Sequence, residues 1–174
     1  ATDTCLTNQF DVYAANFDND GISELYAGHE VYTLDLSIPA APVLRRRLRG
    51  GGPMARTFWT GLTPLAKASS YAADLLSVSD CNGDPDCAGL ELAAGYVIYS
   101  VDLDPNDGDG YQIKVKRNIN TMSGEVFEDG MTTVADVNLD GIQEVLVTSR
   151  KGAENGFYVW NKTGYWRFFK SSQL

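Results

Sequence analysis

At 174 residues, with 44% hydrophobic residues and 17 glycines, the chain is long enough for one domain with a sizeable core and too apolar to be disordered. A net charge of -9 argues against a nucleic-acid partner, whose phosphates need a basic surface. No apolar run is long enough to span a bilayer, so no membrane span is expected.

In chain order, the pattern of apolar and polar residues predicts three units of four short strands, over about 8–50, 71–120 and 131–174. The first unit has strands at Phe10–Ala14, Leu25–Ala27, Val31–Leu36 and Val43–Leu48. The stretch Leu65–Leu75 is Ala-rich and reads as a short helix or an irregular linker. The second unit has strands at Leu75–Val78, Leu92–Ala94, Val97–Leu103 and Gln112–Arg117. The third has Thr132–Ala135, Val145–Thr148, Phe157–Trp160 and Tyr165–Phe169. The units are copies of one another. Glu24–Leu36 aligns without gaps to Glu91–Leu103, with seven of thirteen positions identical. Four-stranded units repeating at this spacing predict an all-β fold of about three β-propeller blades. Closed propellers take roughly four to eight blades, so a larger propeller or an assembly is expected to complete the ring.

An acidic, glycine-containing loop separates the first two strands of each unit. The clearest is Asp136-Val-Asn138-Leu-Asp140-Gly141-Ile142-Gln-Glu144, and its near copy is Asn16-Phe-Asp18-Asn-Asp20-Gly21-Ile22-Ser-Glu24. The second loop, Asp80-Cys-Asn82-Gly-Asp84, resumes at Glu91 after an interruption at Pro85–Gly89. Oxygen side chains at alternate positions suit a hard cation such as calcium. Neither the flanks nor the spacing match an EF-hand, which needs helices, a Gly at position 6 and a Glu at position 12 together. Acidic turns also form without a metal, because Asp and Asn tolerate tight turns.

Ala135–Val147 resembles the FG-GAP repeat, also called the VCBS repeat, and the other two units are similar to it across nearly the whole chain. The resemblance implies a calcium-binding β-propeller exposed outside the cell, commonly one module of a longer protein, here of the bacterial type. It implies as ligands Asn16, Asp18, Asp20 and Glu24 in the first unit and Asp136, Asn138, Asp140 and Glu144 in the third. Ile22 and Ile142 would each add a main-chain carbonyl. The second unit departs from the pattern. Asp80, Asn82, Asp84 and Glu91 are its candidate ligands, with Glu91 displaced by three residues and the Gly after the third acidic position missing.

The remaining chemistry is sparse. Cys81 and Cys87 flank a short loop and are placed for a local disulfide, which leaves Cys5 without a partner in the chain and favours an oxidising, extracytoplasmic compartment. His29 is the only histidine and occupies an ordinary repeat position, so no nucleophilic triad or zinc site is expected. Arg45, Arg46, Arg47 and Arg49 read as an outer strand, as a salt-bridged interface, or as a contact for an acidic glycan. Trp59, Trp160 and Trp166, with Tyr158, Tyr165, Phe168 and Phe169, read as packing between blades or as sugar-stacking platforms. Asp104–Gly110 reads as a solvated hairpin or an extra cation site, and Asn161-Lys-Thr163 is a formal glycosylation sequon.

Three functions follow as expectations. The first is a non-catalytic extracellular module for adhesion, ligand binding or surface assembly. Its partners would be a protein or carbohydrate ligand at the cell surface, together with further blades from the same parent protein or other subunits. The second is the propeller portion of a polysaccharide-degrading enzyme similar to a rhamnogalacturonan lyase, for which Arg45–Arg49 is the one basic cluster. The third is a structural subunit of an extracellular polymer.

Overall fold

The computed structural model describes residues 12–50, 69–106, 110–127, 130–151 and 154–173. It is all-β, with three four-stranded antiparallel sheets and one short helix. The first sheet comprises β1 (Tyr13–Ala15), β2 (Glu24–Ala27), β3 (Glu30–Asp35) and β4 (Val43–Arg49). The second comprises β5 (Ser70–Ala73), β6 (Glu91–Ala94), β7 (Val97–Asp102) and β8 (Gln112–Asn118). Helix α1 (Ile119–Ser123) follows, with its first turn capped by the Asn118 side chain. The third sheet comprises β9 (Thr132–Ala135), β10 (Glu144–Lys151), β11 (Glu154–Asn161) and β12 (Gly164–Lys170).

Each sheet is a meander in strict chain order. Two-residue turns at Gly28-His29 and Gly95-Tyr96 join the second and third strands of the first two sheets, with both glycines at positive φ (57° and 59°). Every sheet has a bulge between its third and fourth strands, at Thr33/Leu34, Ile98/Tyr99 and Val159/Trp160. The bulges of the second and third sheets fall at equivalent positions, just before Tyr99 and Trp160, and that of the first lies two residues further along; each bends the outer strand of its sheet.

The second sheet is the centre of the molecule. All of β6 and β7 is buried, because the other sheets cover it from both sides. Tyr26 Oη accepts the Ala72 N–H at 3.3 Å, tying the first sheet to the second. Thr132 Oγ1 accepts the Gly95 N–H at 2.8 Å, tying the third sheet to the second. Buried aromatic and branched residues, including Val31, Leu92, Tyr99, Val145, Tyr158 and Trp160, fill the spaces between. At roughly 1.5–3 kcal/mol per fully buried large side chain, these inter-sheet contacts outweigh any single loop.

Most predicted strands fall where expected. The exception is β5. The prediction placed it at Leu75–Val78, next to Asp80, but the strand is Ser70–Ala73, inside the stretch read as a helix or linker. Its register pairs Ala73 with Glu91, as Ala15 pairs with Glu24 and Ala135 with Glu144. The second loop therefore starts at Asp74, the counterpart of Asn16 and Asp136, and Asp80 lies within an insertion. The N-terminal part of the first predicted strand, Cys5, Trp59 and residues 65–68 lie outside the described residues.

Candidate metal centre

An antiparallel meander puts its first and third connections at the same end of the sheet. Neighbouring sheets bring these ends together. A Cβ at Gly89, in the second loop, would fall 2.4 Å from the Phe17 carbonyl oxygen in the first loop. Lys162, in the β11–β12 turn, reaches Asp80 of the second loop. The first two acidic loops and the β11–β12 turn thus share one end of the molecule.

In the first loop, Asp18 Oδ1 accepts the Asp20 N–H at 3.1 Å, and Asp20 Oδ1 accepts the Ile22 N–H at 2.7 Å. These Asx turns coil the chain so that its carboxylates face inward. Glu24 is buried, and its Oε2 accepts the Phe17 N–H at 3.1 Å, so it clasps the loop back onto the entering strand. Oxygens of Asp18, Asp20 and Glu24 all lie within 4.8 Å of one another, the one such acidic group among the described residues. Asn16 Oδ1, in the same loop, is buried with no hydrogen-bond partner. Burial raises the Glu24 carboxyl above its ordinary value; the Phe17 N–H offsets part of this, and the charges of Asp18 and Asp20 add to it. A bound divalent cation would reverse this repulsion. The donors are all hard oxygens, which fits calcium, and the orphaned Asn16 oxygen adds a further donor.

The third loop repeats the backbone of the first. Asn19 and Leu139 both take left-handed φ (59° and 61°), as do Gly21 and Gly141 (91° and 87°). A leucine in that region is strained by about 1–2 kcal/mol, so the loop must hold Leu139 there. The Ile142 N–H donates to Asp140 Oδ1 at 2.7 Å, as in the first loop. Glu144 is buried and clasps the Val137 N–H at 3.1 Å, while Asn161 Nδ2 donates to its other oxygen at 3.2 Å. Here the ligand side chains are turned onto the loop itself. Asp136 accepts the N–H groups of Asp140 and Gly141, and Asn138 Nδ2 donates to Asp140 at 2.7 Å. The candidate ligands sit in one turn, but their carboxylates are not gathered as in the first loop.

The second loop is built differently. Ser77 caps a single helical turn, Val78–Cys81, with the Asp80 carboxylate accepting the Ser77 N–H in return, and Asn82 ends that turn at φ 58°. Cys81 and Cys87 form a disulfide. Asp84 caps a second turn, Pro85–Cys87. Glu91 is fully buried, and its Oε2 accepts the N–H groups of Leu75 and Leu76 at 2.8 and 2.9 Å. The clasp of the other two loops is therefore kept, while Asp80, Asn82 and Asp84 are carried away from it by the insertion. Asp74, which the prediction missed, is the loop's true first residue. The sequence held a signal for it: Tyr71-Ala-Ala-Asp74 repeats Tyr13-Ala-Ala-Asn16.

Other candidates resolve into structure. Arg45 pairs with Asp35 at 2.9 Å, Arg47 and Arg49 each pair with Glu30 at 2.7 Å, and Arg46 lies 3.6 Å over the Tyr111 ring. Of the alternatives for this run, the outer strand is the one observed: the arginines lie on β4, and their ion pairs run to β3 of the same sheet. Tyr158, Trp160 and Phe168 are buried, and Phe169 stacks on Phe157 at 4.7 Å, so these rings pack inside the protein. The side chains of Tyr165 and Trp166 lie outside the described residues. Asn161 is buried and donates to Glu144, which removes its amide from any glycosylating enzyme. Asp104 Oδ1 accepts the Asn106 N–H at 2.8 Å in an ordinary Asx turn, and residues 107–109 lie outside the described part. His29 is half-buried in a turn, and burial lowers its pKa. No helix among the described residues is long and apolar enough to cross a membrane.

A pocket of about 560 Å³ opens where the first strands of the three sheets converge. Tyr13, Tyr26, Tyr71, Met131 and Phe157 line it, with no charged residue among the described ones. Comparisons of the chain with protein-family models, with curated proteins and with solved structures find no match.

Proposed function

We propose that the chain is a non-catalytic, calcium-binding module of an extracellular or cell-surface bacterial protein, serving adhesion, ligand binding or surface assembly. On this reading its sheets are consecutive propeller blades of the FG-GAP or VCBS type. Further blades, from the same parent protein or other subunits, continue the array. The observation that carries the reading is the first loop, where three carboxylates converge and the amide oxygen of Asn16, in the same loop, is buried with no partner. The repeated backbone of the third loop and the buried glutamate clasp support it. Calcium would rigidify loops whose carboxylates otherwise repel, and binding to the folded form alone stabilises that form by mass action. The uncharged aromatic pocket suits a protein or neutral carbohydrate ligand better than a polyuronate. The arginines of the lyase alternative pair within the first sheet or lie on Tyr111, which weighs against that alternative.

Calorimetric titration of the chelator-treated chain with calcium tests the proposal. Saturable binding is expected, with one site lost in the Asp18→Asn/Asp20→Asn double variant. Absence of binding at millimolar calcium would overturn it, since even weak extracellular modules bind in about the 10⁻⁴–10⁻³ M range.

A further inference from the structure

The second loop has acquired cations of its own. Lys162 Nζ lies 2.7 Å from Asp80 Oδ2, and Lys114 Nζ lies 2.9 Å from Asp86 Oδ2. Lys116 pairs with Asp84, and the Arg117 guanidinium donates to the Asp80 carbonyl. Asp80 Oδ2 is held in place from the other side by Ser77, whose N–H and hydroxyl donate at 2.9 and 2.6 Å. These pairs are partly sheltered: the lysine side chains are 11–27% exposed. By contrast, no ion pair joins Asp18 or Asp20 to a described residue. The two lysines of β8 come from the loop's own sheet. Lys162 comes from the third sheet, so its pair crosses a sheet boundary.

We propose that the second loop is a cation-independent latch, in which the Lys162 ammonium at Asp80 does the work that a divalent ion does in the first loop, and fastens the third sheet to the second. Three arguments carry this. One lysine meets each of Asp80, Asp84 and Asp86, so the charge of these three carboxylates is already compensated. The aspartates are spread over two helical turns, each on its own lysine, whereas calcium requires 6–8 converging oxygens. The Cys81–Cys87 disulfide closes the segment that carries Asp84 and Asp86, so the carboxylates are held for the lysines without help from a metal. The contrast with the first loop rests on the calcium reading above, but the latch itself does not.

The test is thermal melting of the full chain, in chelator and in millimolar calcium, for Lys162→Met, Asp80→Asn, the double variant and Lys162→Arg. Each neutralising variant is expected to lose roughly 2–4 °C, the shift that about 1 kcal/mol produces at this size. The loss should be equal in both buffers. The double variant should lose less than the sum of the singles, and Lys162→Arg should stay near wild type. Calcium restoring the Lys162→Met variant would overturn the proposal by making the loop a metal site. Strict additivity of the two single losses would overturn it by showing that the pair does not interact. If the wild type showed no response to calcium at all, the calcium reading would fail, yet the coupling measured in chelator would still decide the latch. Should Lys162→Met not fold, the same cycle with Lys162→Gln, which removes the charge and keeps a polar side chain, gives the coupling.

Discussion

The first and second loops leave the same strand ending, Tyr-Ala-Ala, and return to the same buried glutamate, yet they reach opposite solutions to one electrostatic problem. The first keeps a short turn in which Asp18, Asp20 and Glu24 crowd together and Asn16 is left with an unsatisfied oxygen. The second spreads its carboxylates along an insertion, closes that insertion with a disulfide and meets each of Asp80, Asp84 and Asp86 with a lysine. What the two share is the clasp from Glu24 or Glu91 to the backbone just past the first strand. The comparison separates two jobs within the repeat. The glutamate closes the strand pair whatever the loop contains, while the residues between decide whether the carboxylates are gathered together or paired with lysines.

The largest expected effect is of calcium on the first and third loops. A site saturated at 100 times its dissociation constant adds about 2.7 kcal/mol, which is roughly 5–11 °C for a chain of this length. Chelator should remove that gain from the wild type. Asp18→Asn/Asp20→Asn should show a smaller calcium response, and Asp84→Asn a full one. A calcium response that vanished in Asp84→Asn would erase the difference between the loops.

Next in size is the disulfide. For a loop of six residues' separation, chain entropy predicts about 2 kcal/mol. Cys81→Ser/Cys87→Ser should therefore melt roughly 4–8 °C lower, and reductant should lower the wild type by a similar amount. The calcium-induced rise should survive in full, because the first loop does not use the bridge. Loss of that rise on reduction would mean that the second loop supports the first.

Gly89 is the place where the two loops touch. A methyl group there would sit 2.4 Å from the Phe17 carbonyl oxygen, so backbone must move. Gly89→Ala should cost about 1–2 kcal/mol, measured by denaturant unfolding. Because Phe17 also donates to Glu24, the same variant should weaken calcium affinity at the first loop and leave the third unchanged. Equal weakening at both would show a global loss of packing instead.

These differences also mark how far the sequence alone could be followed. The three-unit plan and most strand positions were legible because period-two alternation and the Glu24–Leu36 and Glu91–Leu103 copies are strong local signals. The first and third loops were legible as tight turns, since Asp, Asn and Gly each impose a local geometry. The second was misread because an acidic run inside an insertion imitated the motif, and β5 was drawn toward it. Ala-rich Tyr71-Ala-Ala-Asp74 lacks the β-branched residues that usually announce a strand; tertiary packing between two sheets makes it one. The lysine pairs were hidden for a different reason. Lys162 lies 82 residues from Asp80, and only the juxtaposition of two sheets brings them together.

The clasp itself is best tested in chelator, as a dependence of stability on pH. Burial pushes the Glu91 carboxyl up to about 7, against the N–H groups of Leu75 and Leu76, which favour its charged form; the charge of Asp74 adds to the rise. In the unfolded chain a glutamate titrates near 4.3. Below that pH both states hold the proton and the folded state has its full advantage. Between about 4.3 and 7 the unfolded chain has released a proton that the folded chain still binds, so stability falls as pH rises through this window. Above it both states are ionised and the dependence levels off. Glu91→Gln keeps a carbonyl oxygen for the Leu75 and Leu76 N–H groups and cannot ionise. Its stability should therefore be flatter than wild type from pH 5 to 8, with the two curves closest at the acidic end. The Glu24→Gln variant offers the contrast: once calcium is added, the metal should favour the ionised Glu24 and the variant should lose affinity, whereas Glu91→Gln should bind calcium as the wild type does. A Glu91→Gln variant with reduced calcium affinity would mean that the second clasp also serves a metal.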